Sequence, residues 1–316
     1  MLNREIWVNQ IKENLYPDRS FLKKVTDFSA FVDADKLHIP SAGIDPEVLI
    51  NNTTYPITVV ERTDNDNYAV LDKFETENTL VFRPETLEYS YDKLESVIKQ
   101  HRAVLQSSTA KKAAHAFAPQ SNTTSTPVIE VSGTPRNGRY TLTLEDILTM
   151  KEMFDNALIP TEKRFLILHP KHVSDLLRED IKTFKDITDL KNGEPFRFAG
   201  FGIYTFPYMP YYKTENGILT KVSFGEEDPT KDSFASVAFQ ADEVFKADGE
   251  LFMYSTENDP KYRGTIIGFD KRFIALPIRG MGIGALVSKA SEETPNTEVE
   301  QNSEETPDTE VEQNEE

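Results

Sequence analysis

Apolar positions along this chain follow two periods. In "YPITVVERTDNDNYAVLDKFETENTLV", residues 55–81, Tyr55, Ile57 and Val59 fall on one face at period two, with Thr58 on the other. The intervening "TDNDN" is a turn signal, because Asp and Asn bond their own backbone and tolerate unusual dihedrals. The pattern predicts a β-hairpin. From residue 85 the period lengthens: Leu87, Tyr91, Leu94, Ile98, His101, Leu105 and Ser108 recur at three- and four-residue steps. A single helix is expected, running roughly 45 Å at about 1.5 Å per residue, long for a globular domain. The polar run "APQSNTTSTP" ends it.

On the N-terminal side, Ile6, Trp7, Ile11 and Leu15 have near-helical spacing up to Pro17, and "HIPSAGIDPEV" is irregular by its two Pro and one Gly. Beyond residue 128 the pattern becomes mixed α/β. Thr143 with Asp146 forms a capping box ahead of Ile147, Leu148, Met150, Phe154 and Leu158. "RFLILHP" reads as a short buried strand, "KHVSDLLRE" as a helix, and "FRFAGFGIYTFPYMPYY" as a strand ending at an edge or rim because of Pro207 and Pro210. "SFASVAFQADEVFKA" and "RGTIIGFDKRFIALPIRGMGIGAL" complete a strand-rich second half.

At 316 residues the chain can form one large or two modest domains. No apolar run approaches the roughly 20 residues that span a bilayer, and the charged N-terminus lacks a signal-peptide core. The absence of Cys excludes disulfides and thiolate metal sites, and fits a reducing cytoplasm. The net charge of −18 is uneven: residues 291–316 carry ten Glu and one Asp with no base, leaving about −7 on the other 290 residues. Such a body has no global attraction for phosphate backbones. The acidic segment is a near-exact repeat, "SEETPNTEVEQN" then "SEETPDTEVEQN", with one Val in each unit. It cannot bury enough surface to offset its ordering entropy, so a disordered brush is expected, with a docking or repulsive element as the second reading.

Candidate chemistry is sparse. His169 and His172 in "HPKH" flank a proline, with no carboxylate set around them resembling a zinc site, and His101 lies on the apolar face of the long helix. Asp64, Asp66 and Glu75 sit at positions 1, 3 and 12 of a calcium-loop template, but Tyr68 and Ala69 break it. "GFG" and "GMGIG" lack a strand-to-helix phosphate context and read as bends or close approaches in strands. No nucleophile elbow or thiol nucleophile is present. The expectation is no catalytic residue, no cofactor and no metal.

The order of parts is informative: an arm with "DADKLHIPSAGIDPEV", the hairpin at 55–81, then "EYSYDKLESVIKQHRAVLQSSTAKKAAHAFAP" and an α/β body with "RFLILHPKHVSDLLRE". This order resembles the major capsid proteins of tailed bacteriophages with the Hong Kong 97-like fold, over roughly residues 20–285. The resemblance implies an α+β fold divided into an N-terminal arm (1–50), an extended β-hairpin loop (51–84), a spine helix with peripheral domain (85–140), an axial α/β domain (141–260), C-terminal strands (261–290) and the acidic tail (291–316). It also implies a non-enzymatic shell subunit forming pentamers and hexamers of an icosahedral phage head around double-stranded DNA. Its location would be the virion after assembly in the host cytoplasm, with a scaffolding protein and a portal as partners and no membrane.

The hairpin carries the physical argument, since an isolated two-stranded arm is marginal in water and needs another surface, here an adjacent copy. Its expected inter-subunit residues are Tyr55, Ile57, Val59, Glu61, Asp64, Asp66, Asp72, Phe74 and Glu75. Six acids against Arg62 and Lys73 give it −4, so a basic strip is expected opposite, with Lys99, Arg102, Lys111 and Lys112 as candidates. The alternatives are an encapsulin-like compartment, a soluble α/β enzyme with the hairpin as a lid, and a tail or adhesion protein. Lys73 has no Asn partner in a recognisable context, so isopeptide chemistry is not carried over, and the doubled tail falls outside the family pattern.

Overall fold

The computed structural model describes residues 8–9, 11–12, 15–17, 19–33, 35–40, 66–191, 194–215, 217–227 and 233–291. In chain order the main elements are β1 (Lys36–Pro40), β2 (Asp66–Val70), β3 (Asp72–Glu75), β4 (Thr79–Phe82) and α1 (Arg83–Phe117). Next come β5 (Val128–Glu130), β6 (Pro135–Arg136), β7 (Arg139–Tyr140), α2 (Leu144–Asn156), β8 (Arg164–Leu168) and α3 (Pro170–Glu179). The remainder is β9 (Phe201–Thr205), β10 (Tyr212–Glu215), β11 (Ile218–Lys221), β12 (Ala235–Gln240), β13 (Val244–Asp259), β14 (Gly264–Pro277) and β15 (Ile283–Val287). The fold is α+β, with two principal sheets.

The first sheet has six strands in the order Arg197–Phe198, β9, β8, β12, β15, β5. Its central strands β8, β12 and β15 are buried at every position, which is why they read as continuous apolar runs rather than alternations. α2 and α3 cover one face through Ile147, Met150, Phe154, Val173 and Leu176. The capping box that starts α2 is present: the Asp146 amide donates to Thr143 Oγ1 at 3.3 Å, and the Thr143 amide donates to Asp146 Oδ2 at 2.9 Å. The glycines of "GMGIG" do what the sequence suggests. Gly282 has φ +68°, and a Cβ at Gly284 would sit 2.7 Å from Met150 Sδ, so the bare backbone there lets the end of the Met150 side chain rest on β15.

The second sheet is built on the β13–β14 hairpin, with Thr26–Asp27 on the outer edge of β13 and β3 and β4 on the outer edge of β14. α1 links the sheets. At about 1.5 Å per residue its 35 residues extend roughly 52 Å. Ile98 and Leu105 pack with Leu251, Met253, Ile267 and Phe269 of the hairpin, and with Ile11 and Leu15 of the arm. Further along, Ala110, Ala113, Ala114 and Phe117 enter the largest core cluster, where the small side chains let the helix approach closely. Its C-terminus is held by Lys221, whose ammonium donates to the His115 carbonyl at 3.0 Å and the Ala118 carbonyl at 2.6 Å. The Ala118 carbonyl has no partner within the helix, the His115 carbonyl also accepts from the Ala118 amide at 3.3 Å, and burial pushes the Lys221 pKa down to about 8. No helix among the described residues is long and apolar enough to cross a membrane.

Candidate assembly interface

The strand pairing corrects the expected hairpin. Asp66 and Asn67, read as its turn, begin β2, and β2 pairs antiparallel with β1: Lys36 with Val70, His38 with Tyr68, Pro40 with Asp66. The base of the ribbon is therefore β1 with β2, and residues 41–65 connect them. Tyr55, Ile57, Val59, Glu61 and Asp64 lie outside the described residues, as does the acidic repeat from residue 292 onward. Asp72, Phe74 and Glu75 are described and belong to β3, which is hydrogen-bonded within the same chain to β14, Asp72 opposite Phe273 and Glu75 opposite Asp270. The free edge of β14 supplies backbone partners for β3. Phe74 packs edge-on against Phe273 at 6.1 Å. The basic strip is also used in part internally: Lys112 pairs with Asp72 at 3.2 Å and Lys99 with Glu95 at 2.8 Å.

What remains outward is a set of large apolar side chains on strands. Tyr68 and Val70 on β2 are 61% and 57% exposed, while Leu71 after them is buried against Leu37, Phe245, Ala247 and Ile274. On β13, Phe252 and Tyr254 are 43% and 51% exposed on one face, their rings 4.9 Å apart, and Tyr254 donates to Asp270 at 3.2 Å. Thr26–Asp27 covers only the start of β13, opposite Phe245 and Lys246. Among the described residues, positions 249–259 have no strand on their outer edge. That edge faces a cleft of about 480 Å³ between residues 250–253 and Val8, Asn9 and Lys12. An open edge beside exposed aromatics is a template for another chain.

A buried charge cluster fixes the arm to this sheet. Asp248 accepts from the Tyr16 hydroxyl at 2.5 Å, pairs with Lys246 at 3.1 Å, and is bonded by the Lys271 ammonium. Lys246 also reaches Asp27 at 2.9 Å and lies 4.0 Å from the Tyr16 ring centroid. Burial raises the Tyr16 pKa well above the usual phenol value and lowers that of Lys271. For Asp248 burial opposes ionisation, but the two lysine charges outweigh it and hold the carboxyl below the usual range.

A second buried polar group lies at the six-stranded sheet, and of its members the sequence singles out only His172. Arg139 donates to both oxygens of Asp175 at 2.7 and 2.8 Å, and fully buried His172 contacts Ser236 Oγ through Nδ1 at 2.7 Å. His172 and Ser236 have no solvent access, so they form a packed core pair rather than a reaction centre. Burial, with Arg139 nearby, drives the His172 pKa well below the usual value. No cluster of metal-ligating side chains occurs among the described residues.

Residues 98–238, from within α1 to β12, match the family model described as phage capsid protein. The capsid structure of the cyanophage P-SCSP1u superposes with a TM-score of 0.57 at 16% identity, covering 85% of this chain and 87% of that one. The chain has the Hong Kong 97-like capsid fold. A virus-like particle from Pyrococcus furiosus gives a TM-score of 0.55 at 12% identity, over 90% of this chain and 100% of that one. The SrpI encapsulin of Synechococcus elongatus gives 0.53 at 13%, over 87% and 88%. No curated protein matches the sequence. The fold and the family match over residues 98–238 together support a structural capsid subunit.

Proposed function

We propose that this chain is the major subunit of a phage head, assembling with its own copies into rings of five and six that tile an icosahedral shell around double-stranded DNA. A scaffolding protein and a portal complete the assembly, which forms in the host cytoplasm. The ribbon that starts at β1 and β2 lies on the neighbouring subunit, with Tyr55, Ile57, Val59, Glu61 and Asp64 as contacts on its 41–65 segment. The observation that carries this reading is the match of residues 98–238 to phage capsid proteins, supported by a base-paired ribbon whose strands expose Tyr68 and Val70. Asp66 sits at the ribbon's base, while Asp72, Phe74 and Glu75 act by holding that base to β14. The encapsulin reading shares the fold and differs in content, DNA against cargo protein.

The test is electron microscopy of the expressed chain beside a variant in which residues 41–65 are replaced by an Asn-Gly turn joining β1 to β2. Shells or five- and six-membered rings are expected from the parent, and a folded, unassembled chain from the variant. Assembly by the shortened chain would remove the ribbon from the mechanism. A parent that stays monomeric at high concentration would refute the shell reading itself.

A further inference from the structure

The acidic repeat begins at Ser291, which lies beside a cleft of its own subunit that carries two arginines. The backbone of Ser291 donates to the Gly138 carbonyl at 2.8 Å, Ala290 bridges to Arg139, and the Tyr140 amide donates to Lys289 at 2.9 Å. The last described residues thus run along the β6–β7 hairpin. On that hairpin, two residues before Gly138, is Arg136, which with Thr134, Thr141 and Arg178 lines a cleft of about 430 Å³. Arg178 stands on the last turn of α3, one turn beyond Asp175, and the Arg139–Asp175 pair holds α3 against β7.

Two cations of the cleft have no acidic partner among the described residues. Asp175 is neutralised by Arg139 at 2.7 Å, and Glu179 accepts from the Leu144 amide at 3.0 Å. Arg136 and Arg178 are both exposed, and neither makes an ion pair or side-chain hydrogen bond among the described residues. Asp146, which accepts from the Ser132 hydroxyl and the Thr143 amide on the rim, offsets the remaining surplus, so the cleft offers two unpaired guanidiniums set among hydroxyls rather than a net charge. The segment that starts there carries eleven carboxylates and no base, four of them (Glu292, Glu293, Glu298 and Glu300) in its first repeat. Extended chain covers about 3.3–3.6 Å per residue, so all four come within roughly 30 Å of Ser291. Such short tethering holds a ligand at millimolar effective concentration, enough for weak bonds to be occupied.

We propose that the first acidic repeat docks in cis on this cleft, its glutamates pairing with Arg136 and Arg178. The brush expected from composition is then held at its root and free only in its second unit. The assignment does not depend on whether the shell encloses DNA or protein.

The chain has no Cys, so two can be introduced cleanly: Glu145→Cys, on the first turn of α2 next to Thr143 of the cleft rim, and Val299→Cys in the first repeat. Both are spin-labelled on the full chain, which is mixed with a large excess of unlabelled chain. Pulsed dipolar spectroscopy at 50 mM salt is expected to give a short-distance population. It should fall about fivefold or more in Arg136→Glu/Arg178→Glu, since two rim ion pairs are lost. It should also fall in 1 M salt, where screening acts over about 3 Å. Should the double reversal fail to fold, Gln at positions 292, 293, 298 and 300 removes the same pairs from the tail side, with the same loss expected. A distance distribution unchanged by charge reversal and by salt overturns the proposal. So does a short distance that vanishes on dilution with unlabelled chain, which would place the tail on a neighbour.

Discussion

Asp248→Asn isolates the buried charge cluster that ties the arm to the β13–β14 sheet. The substitution keeps the shape and removes the one carboxylate shared by Lys271 and Lys246, whose side chains are 3% and 6% exposed. Lys246 retains Asp27, itself half exposed, whereas Lys271 is left with no carboxylate among the described residues. Breaking a buried pair by removing one partner costs about 3–5 kcal/mol, a large share of a marginal stability of roughly 5–15 kcal/mol. For a chain this long each kcal/mol moves the midpoint by roughly 2 °C, so a fall of about 6–10 °C is expected. The assay is thermal unfolding by circular dichroism below the assembly concentration, so that subunit association does not shift the midpoint. Replacing the whole group, Lys246→Met, Lys271→Met and Asp248→Leu together, should recover most of the loss, because no uncompensated charge then remains. The Tyr16 hydroxyl donates to the carboxylate that is replaced, so Asp248→Asn should also speed tryptic cutting after Arg19, Lys23 and Lys24. A midpoint within 1 °C of the parent, or a triple variant less stable than the single one, would refute the account.

His172 should make the fold acid-sensitive. Its pKa in the folded state is depressed, so below the unfolded value of about 6.5 the unfolded chain takes up a proton that the folded chain refuses. Stability is therefore full above about pH 6.5 and declines as the pH falls below it, and His172→Gln should flatten that slope in melts between pH 7.5 and 5.5. An unchanged slope would show that other groups set the acid limit. On the surface, Phe252→Ser with Tyr254→Ser should leave the melting midpoint within about 1 °C, as exposed substitutions do, while shifting the assembled fraction in sedimentation towards free subunits. Normal assembly by this pair would exclude the open face of β13 from the lattice contacts.

The local elements were legible because each rests on residues close in sequence. α1 follows from its apolar repeat, α2 from Thr143 and Asp146, and β8, β12 and β15 from unbroken apolar runs. Strand partners were not legible. Phe74 alternates with its neighbours equally well on a free ribbon or on β14, and its actual partner, Lys271, lies nearly two hundred residues away. The period-two pattern fixes which side chains share a face but not which strand lies alongside. The pairing of β1 with β2 escaped for the same reason, as Lys36–Pro40 overlaps a Pro- and Gly-rich stretch that reads as irregular. Buried charge was also invisible: Arg139, Arg164, Lys246 and Lys271 are all nearly inaccessible, against the usual rule for such residues, and each is tolerated only because the fold brings it an acceptor.

The β13–β14 sheet is asymmetric in a way that suits a subunit of a shell. Its β14 side is closed by β3 and β4 from the same chain, and among the described residues its β13 side is covered only over Phe245 and Lys246. Shifts in the β13–β14 register fall between Asp248 and Leu251 and again between Thr256 and Asp259. Such irregularities bend a strand and discourage indiscriminate pairing. The regular stretch between them, from Leu251 to Thr256, carries the outward Phe252 and Tyr254. A partner is thus offered a short window rather than a long edge. Head-to-tail contacts close into rings only when each copy meets the next at one fixed angle, and a bounded window enforces that better than an uninterrupted strand along which a neighbour could slip.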